Sequence, residues 1–98
     1  MRLYRLNNRS NNPYWVIAPD TATAIAYSVS IGRAKTHQNV KIIGDQTDFY
    51  LEQEKNNPTN LADLLEGNLI GIASFRIGLQ RTWLLRQTLT HLDIILLS

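Results

Sequence analysis

An α+β fold, with one mixed sheet of four or five strands and helices packed mainly on one face, is predicted by three features of this sequence. Tyr14–Ala18 is a short aromatic and β-branched run, ended by Pro19-Asp20. Thr21–Ile31 then carries helical periodicity as far as Gly32, and Val40–Ile43 is a second strand-like run before Gly44-Asp45. Ahead of this unit, Arg2–Leu6 reads as a strand that an asparagine-rich loop separates from Tyr14. The pattern is a β-hairpin followed by a βαβ crossover, with helix and strand after it. Tyr14–Ala18 and Val40–Ile43 are expected to run parallel in one sheet, joined by a right-handed connection.

The 98 residues make one domain with a modest core. No cysteine is present, which excludes a disulfide scaffold and thiolate metal sites. The start of the chain has no apolar signal-like run, and no apolar stretch approaches the roughly 20 residues that span a bilayer. A cytoplasmic protein without a membrane span is therefore expected. The net charge of +2 is mild for a nucleic-acid binder.

Each element has its own local reasons. In the first loop, Asn7-Asn8 and Asn11-Asn12 favour turns because asparagine tolerates left-handed backbone and bonds its own main chain. Pro13 stands where its missing donor does least harm. On a helical wheel Ala22, Ile25, Ala26 and Val29 share a face that should lie on the sheet, while Ala24, Tyr27 and Ile31 form an opposite apolar face needing a second cover. Asp45 or Thr47 could cap a short helix over Asp48–Lys55, which Asn56-Asn57-Pro58 ends. Asn60 and Asp63 have capping-box spacing, Leu61, Leu64 and Leu65 form a stripe, and Gly67 suits the end of that helix. Leu69–Ile77 reads as a strand.

The last twenty residues support two readings. Leu85, Leu89, Leu92 and Leu96 follow a 4-3-4 spacing that favours a helix. Trp83 and the threonines around it are better strand formers, so a hairpin with Arg81–Leu89 as a fifth strand competes. The helix is the favoured reading, with all four leucines buried.

The chemistry is sparse. A phosphate-binding βαβ unit needs glycines between strand and helix, and here Ala18-Pro19-Asp20 puts an acidic cap in that place. Asp45, Asp48, Glu52 and Glu54 lack the ligand spacing of a calcium loop and are read as helix-favouring acids. His37 and His91 are far apart, and no serine sits in a nucleophile elbow. No catalytic, cofactor or metal residue is assigned. The expectation is a non-enzymatic protein-interaction module of adaptor, regulatory or inhibitor type, such as a phage or mobile element encodes. Its partner is another protein or a second copy, and the contact residues are drawn from Tyr27, Ile31, Trp83, Leu85, Leu89, Leu92 and Leu96. The alternative is a small nucleic-acid-binding protein that uses Arg2, Arg5, Arg9 and Lys35, and an enzyme comes third.

Overall fold

The structure, a computed structural model, describes residues 1–97. In chain order the elements are β1 (Arg2–Asn8), β2 (Pro13–Ala18), α1 (Thr21–Ser30), β3 (Val40–Asp45), α2 (Thr47–Gln53), α3 (Leu61–Glu66), β4 (Ile70–Ile77), β5 (Arg81–Leu89) and α4 (His91–Leu97), with a 3-10 turn at His37–Asn39. The strands form one open sheet in the order β3-β1-β2-β4-β5. Every bonded pair is antiparallel, so the sheet is not mixed in its pairing. β2 and β3 do share a direction, because β1 lies between them and opposes both. The βαβ crossover is thus split by the strand that precedes it.

The helices cover both faces of the sheet, not mainly one. On the front, Tyr4 and Leu6 of β1, Tyr14 and Val16 of β2, and Ile70 and Ile72 of β4 pack with Ala24 and Tyr27 of α1 and Ile94 of α4. On the back, Leu3, Ile17, Ala73 and Trp83 pack with Leu61 and Leu65 of α3, flanked by Tyr50 and Leu51 of α2. The cause lies in adjacent apolar pairs such as Leu3-Tyr4 and Val16-Ile17. Successive strand residues point to opposite faces, so each pair makes both faces apolar.

Helix α1 starts where Asp20 accepts a 2.7 Å bond from the Thr23 amide. It ends in a Schellman arrangement: Gly32, at φ 80°, donates to Val29 O and Arg33 to Ser28 O. Its roll is opposite to the wheel expectation. Thr23, Ala24, Tyr27 and Ser28 are buried against the sheet, Ile25 and Val29 are half-buried, and Ala22 is exposed. Hydrogen bonding explains why the more polar stripe turns inward. The Tyr27 hydroxyl donates to Gln87 O at 2.7 Å, with Arg86 O at 3.3 Å. Ser28 donates to Ala24 O and accepts from the Tyr14 hydroxyl. Each buried hydroxyl is satisfied, so the tyrosine ring delivers its large apolar area without a stranded polar group.

The tail is a strand and then a short helix. β5 carries Trp83 to the back face, where Trp15, Tyr50 and Phe75 stand 5.3–5.4 Å from it, ring centre to ring centre. Leu85 and Leu89, four residues apart, would share a face in a regular strand. Gln87 is at φ 52° and the β4–β5 register shifts between Ile70 and Ile72, which puts Leu85 on the back and Leu89 on the front. Gly71 belongs to the same irregularity: a Cβ there would fall 2.9 Å from Arg86 O and from Leu85 Cγ.

The outer edge of β5 is partly closed by a side chain. Asn60 donates from Nδ2 to Trp83 O at 2.9 Å and accepts from the Trp83 amide at 2.6 Å. It does not make the expected capping box with Asp63. That box occurs at α4 instead, where the Thr90 amide donates to Asp93 Oδ2 and the Asp93 amide to Thr90 Oγ1.

Two predictions follow from Tyr27. Replacing it with phenylalanine removes the hydroxyl's bonds to two part-buried carbonyls and should cost about 1–2 kcal/mol at neutral pH, read as a lower urea midpoint with an unchanged slope. Burial also pushes the Tyr27 hydroxyl up to about 12. From its ordinary value of 10 upward, the unfolded chain loses this proton while the folded chain keeps it. Stability should therefore fall between about pH 10 and 12, by on the order of 2–3 kcal/mol from this residue. Tyr4 and Tyr14, also raised by burial, act in the same direction. Urea titrations at pH 9 and 11 should show this loss, and Tyr27→Phe should lessen it.

Candidate functional site

Two surfaces stand out, and the first is the outer side of α4. The Thr90–Asp93 pair fixes where this helix begins. The bonds from Thr90 hold the Asp93 carboxyl below the usual range. Ile94 points inward, is 4% exposed and joins the front core. Leu92 and Leu96, one helical turn apart, are 63% and 76% exposed. Ile95 and Leu97 are exposed beside them. The apolar stripe of this helix therefore faces away from its own core.

The expected contact residues separate accordingly. Tyr27 and Trp83 are core residues, 0% and 3% exposed, and offer no surface. Ile31 is half-buried at the margin of the front core. Leu85 and Leu89 are half-buried on opposite faces of the sheet. Leu92 and Leu96 were expected to be buried and are not. A single turn of contact on Ile94 seats α4, so the leucines on its far side meet no core.

The second surface is basic. Arg2 is held 2.8 Å from Asp45 and 3.5 Å from Asp48. Arg5 stacks on the back-face Trp15, its guanidinium carbon 4.0 Å from the ring centre. Arg9 and Lys35, by contrast, come together in an open groove of about 550 Å³ with Arg33, a residue left out of the expected set. Asn8 makes the junction. Its Oδ1 accepts from the amides of Ser10 and Asn12, shaping the β1–β2 turn, and its Nδ2 donates to Arg33 O at 3.2 Å. The Arg33 guanidinium carbon lies 5.1 Å from the centre of the Tyr14 ring. The four basic residues expected to act together are therefore not one patch: the fold sends Arg2 and Arg5 elsewhere and gathers Arg9 and Lys35 with Arg33. Sequence offered no periodic signal for this, because the residues lie on two loops about 25 positions apart.

The remaining features are structural. Burial opposes ionisation of Asp45, but hydrogen bonds from Thr47 and Arg2 outweigh it and keep its carboxyl below the usual range. The Thr47 hydroxyl in turn accepts from the Leu3 amide at 2.7 Å. His37 is exposed in the 3-10 turn, and His91 is exposed at the start of α4. Among the described residues, no three His, Asp or Glu side chains are grouped to hold a metal ion. No helix among them is long and apolar enough to cross a membrane. A cleft between Tyr50, Phe75, Arg81 and Trp83 measures about 80 Å³, against roughly 300–1,000 Å³ for small-molecule sites.

The geometry of α4 gives a paired prediction. Ile94→Ala should cost about 2–4 kcal/mol through lost burial and a cavity. Leu96→Ala should change stability by about 0.5 kcal/mol or less. Thermal or urea unfolding of the two variants separates the inner from the outer face of the helix.

Comparison with known proteins found no matching family model, no matching curated protein and no matching solved structure.

Proposed function

We propose that this chain is a small non-enzymatic interaction module that binds protein through the outer face of α4. The observation that carries this reading is the exposure of Leu92 and Leu96, one turn apart on a helix held from behind by Ile94. Covering a leucine recovers about 1.5–3 kcal/mol, so two adjacent ones supply a useful part of a contact. Contiguous apolar surface on a small domain marks interaction sites more often than scattered leucines do. The occupant is a protein surface with its own apolar patch, either a partner or a second copy of the chain. Such an interface responds weakly to salt.

Exchanging both leucines for lysine tests this directly, since neither supports the fold. Leu92→Lys/Leu96→Lys should unfold within about 0.5 kcal/mol of the wild type. It should lose whatever self-association sedimentation detects in the wild type, or the partner retained from the native cell by affinity capture. A wild-type chain that sediments as a monomer and retains the same proteins as the double variant overturns the reading.

A further inference from the structure

Charge along the chain is segregated in a way that the net value of +2 conceals. Residues 1–44 hold six Lys and Arg against one carboxylate, while residues 45–98 hold four against seven. The single acid of the first part, Asp20, is the N-cap of α1. The groove of Arg9, Arg33 and Lys35 sits beyond the opposite end of that ten-residue helix, about 15 Å away along its axis. Among the described residues, the ion pairs engage Arg2 and Lys55 and none of the groove cations. Lys41 is exposed on the adjoining β3, in register with Asn7.

Helix complementarity does not account for this concentration. A helix C-terminus carries about half a negative charge, and the last carbonyls of α1 already accept from the Ile31, Gly32 and Arg33 amides. Three cations at that end exceed what the dipole can use. Their positions are also set by the fold: the Asn8–Arg33 bond ties the β1–β2 turn to the α1–β3 loop, and Tyr14 lies against the Arg33 guanidinium. The amides of Asn8 and Asn39 line the same groove and add neutral hydrogen-bonding groups between the charges.

We infer that this groove binds the phosphodiester backbone of a nucleic acid, independently of base sequence. A linear polyanion can lie along an open groove with successive phosphates against Arg9, Arg33 and Lys35, whereas a flat membrane surface does not enter a concavity. Phosphate accepts both guanidinium forks and amide donors, a match for the mixed lining. This site is separate from the outer face of α4, and either can fail without the other.

The test is fluorescence anisotropy with labelled 20-nucleotide single strands and duplexes of unrelated sequence, at 50 and 200 mM KCl. Three or four neutralised phosphates predict an affinity loss of roughly 20- to 150-fold across that range. Arg9→Gln/Lys35→Gln alters two exposed residues outside the core, and should weaken binding at 50 mM about tenfold and flatten the logarithmic salt slope by about 1.5. Lys55→Gln, in the turn that follows the back-face helix α2, and Leu92→Lys/Leu96→Lys should both bind as the wild type does. Absence of binding at 50 mM, a flat salt response, or a double groove variant that binds normally each overturns the inference. Binding of phosphatidylserine vesicles or polyglutamate in place of both nucleic acids also overturns it.

Discussion

Tyr27 sits at the centre of this fold because its two ends make incompatible demands that only one arrangement meets. The ring needs complete burial, and the hydroxyl needs an acceptor wherever the ring is buried. The carbonyls of Arg86 and Gln87 on β5 satisfy it. That contact turns α1 so that Thr23, Ala24, Tyr27 and Ser28 face the sheet, and leaves Ile25 and Val29 at the margin. It also fixes β5 at its irregular point, where Gln87 adopts left-handed backbone and Gly71 allows the strands to approach. Because the irregularity sends Leu89 to the front, the chain reaches α4 over the same face as α1.

The back layer is organised by a different residue. Trp83 is the hub of an aromatic cluster, and Asn60 binds its backbone in both directions as a neighbouring strand would. This arrangement anchors α3 and occupies part of an edge that otherwise offers free ladder groups to another chain. The two layers share one sheet whose strands carry apolar residues on both sides. A protein of this size thereby builds two small cores in place of one.

The two candidate surfaces follow from how these layers are closed. The front cover ends in α4, which meets the core through Ile94 on one side only and so presents Leu92 and Leu96 to solvent. The basic groove lies where the β1–β2 turn meets the exit from α1, joined by Asn8. One surface is apolar and the other cationic, so they suit ligands of different chemistry.

Local physics alone determined much of this protein. Pro19-Asp20 and Gly32 bound α1, the asparagine pairs made the first turn, and the strand-like runs at Tyr14–Ala18, Val40–Ile43 and Leu69–Ile77 became β2, β3 and β4 within a few residues. These features depend on neighbours in sequence, through capping, backbone preference and side-chain alternation. Tertiary structure decided the rest. The roll of α1 was set by where acceptors for Tyr27 were found, and hydrophobic periodicity carries no information about acceptors. The leucine spacing of the tail was divided between β5 and α4 because aromatic packing around Trp83 and the bulge at Gln87 outweighed a 4-3-4 pattern. The choice of Asn60 as a strand partner and Thr90–Asp93 as the capping pair was likewise made in space. So was the meeting of Arg9, Arg33 and Lys35, which no sequence interval encodes, since it rests on a hydrogen bond between two loops that only the folded sheet brings together.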